Sequence, residues 1–596
     1  MRYPLASWSL AAPLLAYAAL LWWRPVAFLL VLPCVLPAWD LGLWTGWMMV
    51  GESDFFVLTT IAVLLIRAPP ALSDLVPRGL PGAVLLVFVA SWSIATIAGL
   101  ASPLGAPPSD NAFLRPDNAL RLAKGLAEAL ALLPFFRQRE RSHGDAVAWF
   151  GWGMALGIAA VTVIVLAERA LFTSILDFTG DYRVSGPFSS MRVGGGHIGA
   201  YYSLALPMAL CLVRLRSRWL GAGLLLLTYL LGGYGLAVTF ARTAYAAGAI
   251  GAGVAGVGWL CASRPAGGRA TWGIVTLCAV PLLLVMAALA LAASDTGMRN
   301  RFAASAADLV TRESNWQAGL AVRDSGMLAD LFGMGLGTYQ RAMLMRSPVN
   351  RPSDIVVRQD GEGPYVSMRV ETPFFLGQKI TVPAAGTLHF TVRARSADDG
   401  ATLNALLCDK VLLYSDNCRG IGIPLKSKDT WQTAAIDLPV AGLGRGWGWF
   451  HRLVELSVFG SPAGHHIDLR DVRLVDDAGQ TAVANGGFTH GLDRWIFTDD
   501  NHVSWRMLNE YLMLWFETGG VGVLAFLALS GAAMAGGMRA AGQGAVTGAA
   551  VAGSVASFLI SGLFDNVLEA PRLATLFFLV CLCGQMLWDR RSATND

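Results

Sequence analysis

The chain of 596 residues is 55% hydrophobic and only 14% charged, and its mean hydropathy is +0.51. A soluble protein of this size does not need so much apolar surface, so the composition excludes a soluble globular enzyme and predicts a polytopic membrane protein. The net charge of +4 is too small to indicate a nucleic-acid partner.

Apolar stretches long enough to cross a bilayer, for which about 20 residues suffice, predict an all-α membrane domain of about 12–13 transmembrane helices. The second and third stretches are short, which leaves the number of N-terminal helices and the side of the N-terminus open. The first stretch lacks a basic n-region and a small-residue cleavage site, so it is interpreted as a span. The predicted spans lie near 5–22, 26–38, 54–66, 81–100, 118–136, 146–167, 197–213, 219–240, 243–262, 272–293, 507–535, 547–563 and 571–588.

Basic residues concentrate in short connections that all fall on one side of the predicted membrane domain. They are RQRER (137–141), RLRSR (214–218), SRPAGGR (263–269) and the terminal DRR (589–591). The positive-inside rule predicts that this side, with the C-terminus, is cytoplasmic. The opposite side then carries 101–117, 168–196 and the long segment 294–505.

The long segment 294–505 changes character near residue 346. Residues 294–345 are amphipathic and predict an outer helix, so the first domain is expected over 1–345. Residues 346–500 alternate apolar and polar side chains between turn signals, as in TLHFTVRARS (387–396), which predicts an inserted β-sandwich. NGGFTHGLDRW (485–495) resembles sugar-binding jelly-roll modules. The last domain, 501–596, holds the final three spans.

Cysteine placement agrees with this topology. Six of the eight cysteines lie in or beside predicted spans, whereas Cys408 and Cys418 lie together in the β-insert. Two cysteines ten residues apart in a domain outside the cytoplasm predict a disulfide bond.

Four stretches, in order, resemble the O-antigen ligase and polymerase superfamily of bacterial inner-membrane glycosyltransferases. The resemblance covers about 186–340 and 505–590 but not the β-insert. The stretches are GPFSSMRVGGGHIGAYYSLALPMAL (186–210), TFARTAYAAG (239–248), RESNWQAGLAVRDSGMLADLFGMGLGTYQ (312–340) and NEYLMLWFETGGVG (509–522).

This resemblance implies a GT-C-like helical fold in the inner membrane, with its site and the jelly-roll-like insert facing the periplasm. The implied donor is a glycan on undecaprenyl pyrophosphate, transferred to an acceptor hydroxyl without a metal or other cofactor. The acceptor would be another glycan or a lipid A core. Membrane lipids and a chain-length regulator are the further candidate partners.

Arg242 interrupts an apolar run, and a charge in hydrocarbon is costly. A guanidinium matches phosphate geometry and stays ionised, so Arg242 is the candidate catalytic residue that stabilises a pyrophosphate leaving group. The alternative is an arginine that snorkels to headgroups. Arg192, Arg312, Arg183 and Arg506 lie on the same side and are candidate substrate-binding residues, with solvated loop arginines as the alternative.

The general base is not marked by a motif. Ligases of this superfamily have histidine directly before the Asn-x-Tyr-Leu stretch, where this chain has Leu508. His502 is the nearest imidazole and the candidate catalytic base, although a helix over 502–508 would separate it from that position. A packing histidine is the alternative. His197, which is as readily a buried structural histidine, and Asn509 are further candidate substrate contacts.

LFDNVLEAPR (563–572) carries two acids, Asp565 and Glu569, near Arg572; we interpret them as a structural ion network, with hydroxyl binding as the alternative. The expected function is a polysaccharide polymerase, since Leu508 counts against a strict ligase. A ligase acting on lipid A core or a protein is the rival. A glycan transporter is less favoured, because the predicted spans are almost free of charge.

Overall fold

The computed structural model describes residues 8–39, 50–71, 74, 79–105, 107, 109–178, 182–188, 196–263, 305–372, 374–411, 414–426, 429–447, 450–499 and 502–589. The expected span at 272–293 and the candidate residue Arg192 lie outside the described residues.

Apolar helices form the first half of the membrane domain at the positions that the hydropathy predicts. The first six are α1 (Trp8–Trp23), α2 (Phe28–Ala38), α3 (Glu52–Arg67), α4 (Gly79–Leu100), α5 (Asn118–His143) and α6 (Ala146–Phe172). They are followed by α7 (Gly196–Met208), which continues as a 3₁₀ turn, α8 (Arg218–Ala237) and α9 (Arg242–Ser263).

The amphipathic segment and the final helices complete the helical part. The segment forms three separate helices, not one: α10 (Ser305–Ala321), α11 (Met327–Phe332) and α12 (Tyr339–Arg346). After the insert come α13 (Glu510–Gly542), α14 (Val546–Gly562) and α15 (Pro571–Asp589). Among the described residues, seven helices are long and apolar enough to cross a membrane, and α1, α2 and α14 are shorter apolar helices. The protein is therefore a membrane protein.

Small residues let these helices pack closely. On α9, a Cβ added to Gly251 would lie 1.7 Å from Oγ of Ser557 on α14, and one added to Gly258 would lie 2.9 Å from Cβ of Ala549. Helices in lipid associate through such close contacts, because hydrocarbon offers them no hydrophobic driving force.

A glycine-rich loop between α11 and α12 inserts between α4 and α13. Gly335 has φ +100°, and its N–H donates to the Glu517 carbonyl over 2.9 Å. The N–H of Gly337 donates to the Glu517 side chain over 2.8 Å. Helix α13 is broken at Gly519, which has φ +68°. The loop thus satisfies polar groups near a helix break, as a low-dielectric setting requires.

The insert consists of two five-stranded antiparallel sheets. In the first sheet the order is β1-β2-β11-β4-β7, and in the second it is β12-β3-β10-β5-β6. The longer strands are β1 (Asp354–Asp360), β2 (Gly363–Arg369), β3 (Phe374–Ile380), β4 (Thr387–Arg395), β5 (Thr402–Val411), β6 (Tyr414–Pro424), β7 (Gln432–Pro439), β10 (Val454–Ser461) and β11 (His466–Asp476). The remainder are β8 (Gly446–Trp447), β9 (Phe450–His451) and β12 (Ile496–Asp499).

Side chains from both sheets share one apolar core, among them Phe390, Leu456 and Leu469. The predicted two-sheet insert is confirmed, whereas the GT-C-like class of the helical part stays a prediction. Cys408 on β5 and Cys418 on β6 form a disulfide bond.

Two hydrogen bonds between described residues show at which end of the helical bundle the insert lies. The carboxylate of Asp110, in the loop before α5, accepts the N–H of Val357 on β1 over 2.6 Å. Nε of Arg452 donates to the Leu171 carbonyl at the end of α6 over 2.9 Å. We call this end of the bundle the insert end. The connection from α5 to α6 and the start of α8 lie at the opposite end, where the basic stretches at 137–141 and 214–218 are found.

Candidate functional site at the insert end

Arg242 is the first residue of α9, directly after the short connection Val238–Ala241. Its side chain is half-buried. Nε of Arg183 donates to the carbonyl of Thr239 in this connection over 3.1 Å. Two of the expected cations therefore flank the same connection between α8 and α9.

His197 lies near the start of α7 and is buried. Its Nε2 is 3.1 Å from the backbone carbonyl oxygen of Asn566. Helix α7 packs directly on α9, since a Cβ added to Gly199 would lie 2.6 Å from Cβ of Ala244. His197 and Arg242 thus begin two neighbouring helices at the same end of the bundle.

The connection between α14 and α15, Leu563–Ala570, is the structural centre of the site, and we call it the hub loop. Arg312 on α10 donates from one terminal nitrogen to the carbonyl of Phe564 over 2.8 Å and to that of Leu508 over 3.4 Å. The guanidinium carbon is 5.9 Å from the centre of the Phe564 ring. These contacts with the hub loop hold Arg312, the third candidate cation, at the insert end.

Asn566 of the hub loop is a site residue that the sequence analysis did not identify. It is 1% exposed, and its Oδ1 accepts the N–H of Leu508 over 2.8 Å. Its Nδ2 donates to the carbonyl of Asn509 over 3.4 Å. Leu508 has φ +55°, an uncommon conformation for a non-glycine residue, and Asn566 helps to hold it. The one signal for it in the sequence was its presence in LFDNVLEAPR (563–572), a stretch that we interpreted from its two acidic residues.

Arg506 is turned into the protein. It is 1% exposed and its Nε donates to a carboxylate oxygen of Glu569 in the hub loop. Arg121 on α5 donates to the backbone carbonyl of Glu569 over 3.0 Å. A buried carboxylate between two guanidiniums is a structural ion network, as interpreted for Glu569, but the guanidiniums are those of Arg506 and Arg121. Arg572, which lies near Glu569 in the sequence, donates to the Pro187 carbonyl over 2.8 Å. Through its ion pair with Glu569, Arg506 holds the hub loop in place.

Asn509 caps α13. Its Oδ1 accepts the N–H groups of Tyr511 and Leu512 over 3.0 and 3.1 Å. Its Nδ2 donates to the carbonyl of Leu563 over 3.1 Å. Unpaired N–H groups at a helix start favour asparagine at the capping position. The Asn509 side chain, a candidate substrate contact, is thus hydrogen-bonded to the start of α13 and to the hub loop.

Next to the hub loop lies a small pocket of about 20 Å³, large enough for one water molecule. Three buried carboxylates line it: Glu510, Glu517 and Glu569. Asn566 also lines the pocket. The N–H of Leu568 donates to Glu510 over 3.1 Å, so this carboxylate also holds the hub loop.

His502 begins a 3₁₀ turn, His502–Ser504, and the chain from there to Leu508 is not helical. The described residues 502–508 therefore do not form the α-helix that would have separated His502 from the position of Leu508. The turn itself is held by α12, because the hydroxyl of Tyr339 donates to the Val503 carbonyl over 3.3 Å.

Within the described part of the chain, no group of three or more His, Cys, Asp or Glu side chains has a metal-site arrangement. The arrangement is one of cations, an imidazole and helix starts, which suits an anionic ligand. Comparison of this chain with protein-family models, with curated proteins and with solved structures finds no match.

Proposed function

We propose that this protein is a polysaccharide polymerase of the bacterial inner membrane. It transfers a glycan from undecaprenyl pyrophosphate to a hydroxyl of another lipid-linked repeat unit on the periplasmic side. The observation that carries this proposal is the position of Arg242 at the start of a 22-residue helix, beside Arg183 and near His197. A guanidinium together with the unpaired N–H groups of a helix N-terminus favours a phosphate group.

The proposed reaction needs stabilisation of a leaving group and removal of one proton. The acceptor oxygen forms a bond to the anomeric carbon as the bond from that carbon to the phosphate oxygen breaks. The pyrophosphate leaves with the electron pair, and Arg242, supported by Arg183 and Arg312, stabilises the charge that develops. The acceptor proton passes to His502, the candidate base.

The test is the size profile of cell-envelope and secreted glycan after deletion of the gene, with complementation by Arg242→Ala. If a fixed cation at the leaving group is lost, transfer slows by about 10²–10³-fold. The matched control is Arg216→Ala, an exposed arginine at the opposite end of the bundle. We expect long chains to vanish with Arg242→Ala and to persist with Arg216→Ala.

The same profile separates the rival function. Loss of long chains while single repeat units still reach their acceptor supports a polymerase. Full-length chains that accumulate on the lipid carrier while the acceptor stays bare identify a ligase. An unchanged profile with Arg242→Ala contradicts the proposed mechanism.

A further inference from the structure

The outward face of the first sheet of the insert carries an array of arginines. Strands β1 and β2 pair Asp354 with Arg369, Val356 with Ser367, and Arg358 with Tyr365. Residues directly opposite one another in an antiparallel pair project to the same face. The intervening residues, such as Ile355 and Met368, are buried in the core. The register therefore places Arg358 and Arg369 on the outward face.

At the edge of this face, where β1 lies against the helical bundle, there is a cleft of about 320 Å³. Its volume is within the range of small-molecule sites. Leu344 and Met345 of α12 form an apolar wall. The polar lining consists of Arg351, Arg358, Arg369, Ser367, Asp354 and His466.

The cleft is cationic because the guanidiniums that line it outnumber its one carboxylate, that of Asp354. The Ser109 hydroxyl and the Ile355 N–H both donate to Asp354. Burial raises the pKa of Asp354 above its usual range. Three guanidiniums therefore face a single carboxyl group.

The three arginines differ in what they already contact. Arg351 donates to the Leu344 carbonyl over 2.8 Å, and Arg369 forms an ion pair with Glu371 over 2.6 Å. Arg358 is exposed, and the described residues include no carboxylate paired with it. Arg358 is thus the side chain best able to bind an incoming anion.

We propose that this cleft binds a carboxylate-bearing segment of the glycan, so that the glycan handled by this protein is acidic. A guanidinium donates two parallel hydrogen bonds to a carboxylate, a geometry that a neutral sugar does not reproduce. The apolar wall suits the C–H face of a sugar ring, and Ser367 suits a hydroxyl. The proposal rests on the proposed function, because it takes the ligand to be the glycan.

The outward face continues beyond the cleft with an aromatic and polar cluster. Tyr365 and Trp431 lie there with ring centres 5.7 Å apart, and the guanidinium carbon of Arg470 is 4.0 Å from the centre of the Trp431 ring. Arg470 and Arg395 are paired with Asp360 and Asp468, so they are more fully neutralised than Arg358. From β1 to β7 the five strands span about 19 Å. The cleft is therefore the cationic anchor at one edge of a longer polar and aromatic face.

The test is binding of hexagalacturonate to the purified full-length protein in detergent, with the fully methyl-esterified hexamer as a neutral probe. The variant is Arg358→Gln, and the matched control is Arg473→Gln. Arg473 is exposed on the same face of the same sheet, about 23 Å along β11 from His466. We expect Arg358→Gln to weaken hexagalacturonate binding by about tenfold or more, since it removes a charge-assisted hydrogen-bonded pair. Arg473→Gln should bind as the native chain does.

The proposal would be overturned by no binding of hexagalacturonate, by equal binding of the ester, or by equal losses in Arg358→Gln and Arg473→Gln. The last would indicate general attraction to a basic surface. Competition by inorganic phosphate as strong as that by the hexamer would also contradict a glycan site. The outcomes are separable from those of the proposed function. If hexagalacturonate does not bind but Arg242→Ala still abolishes long chains, only the cleft proposal is refuted. If binding depends on Arg358 but Arg242→Ala leaves the chain length unchanged, only the polymerase proposal is refuted.

Discussion

Nε2 of His197 lies 3.1 Å from the backbone carbonyl oxygen of Asn566, which joins the start of α7 to the hub loop between α14 and α15. These two residues are 369 positions apart in the chain. The side chain of Asn566 in turn holds Leu508, immediately before α13. One asparagine therefore connects three of the helix ends that form the insert-end site.

Asn566 should consequently contribute to stability as well as to activity. In Asn566→Leu the buried N–H of Leu508 loses its acceptor, which costs about 1–3 kcal/mol. We expect a lower unfolding temperature of the purified protein in detergent, monitored by tryptophan fluorescence, and shorter glycan chains in cells. An Asn566→Leu protein that unfolds at the native temperature would show that this contact is not a determinant of the site.

Substitutions at Asn509 distinguish helix capping from substrate binding. Asn509→Ala removes the side-chain acceptor for the N–H groups of Tyr511 and Leu512 and should cost about 1 kcal/mol of stability. Asn509→Ser retains an acceptor, so we expect near-native stability and native chain length. A stable Asn509→Ser protein that makes no long chains would assign the amide to the substrate instead.

The glycine-rich loop should tolerate no side chain at Gly335. A Cβ there would lie 2.3 Å from the backbone nitrogen of Gly99 on α4, and the residue has φ +100°. We expect Gly335→Ala to yield little monodisperse protein on size-exclusion chromatography. Gly326→Ala is the matched control, because Gly326 also has positive φ, +127°, but nothing lies within 4 Å of its added Cβ. Equal yields of the two variants would mean that backbone strain, not the close contact with α4, sets the outcome.

The disulfide provides a test of topology. Cys408→Ser leaves Cys418, which is exposed, as a free thiol. In intact spheroplasts we expect a membrane-impermeant maleimide to label this variant but not the native chain at that position. Loss of the cross-link should cost about 2–3 kcal/mol of insert stability. Labelling only after the membrane is permeabilised would contradict the proposed periplasmic position of the insert.

His389 should make the stability of the insert depend on pH. Hydrogen bonding to Asp437 and, on its other nitrogen, to Asp477 raises the pKa of His389 above 6.5. Because the folded pKa is raised, the stabilisation is fully present below the unfolded pKa and is lost as pH rises through the folded value. We expect the difference in unfolding temperature between the native chain and His389→Gln to be larger at about pH 5.5 than at about pH 9. An equal difference at both pH values would contradict the raised pKa.

The positions of the secondary-structure elements follow from local patterns in the sequence. The predicted spans at 81–100, 146–167 and 243–262 coincide with α4, α6 and α9 within a few residues. The strand predicted from TLHFTVRARS is β4. Hydropathy and alternation are properties of neighbouring residues, so these elements are visible without knowledge of the fold. The same local reasoning predicted the Cys408–Cys418 pair, whose members occupy adjacent strands.

The roles of the site residues were decided by contacts between distant parts of the chain. The sequence identified Arg242 as a candidate because an arginine within an apolar run is costly and therefore conspicuous. Arg183 and Arg312 were candidates because they lie on the same predicted side. It could not show that Arg506 pairs with Glu569, 63 positions away.

The sequence by itself thus determined a membrane-embedded helical protein with a disulfide-bonded two-sheet insert, and it drew attention to the cations of one side. Only the tertiary structure decided which of these residues meet at the hub loop, that Asn509 is occupied as a helix cap, and that Asn566 joins the helix ends. The physical reason is that apolar burial is additive along a segment, whereas a hydrogen bond depends on the relative position of two segments to within a fraction of an ångström.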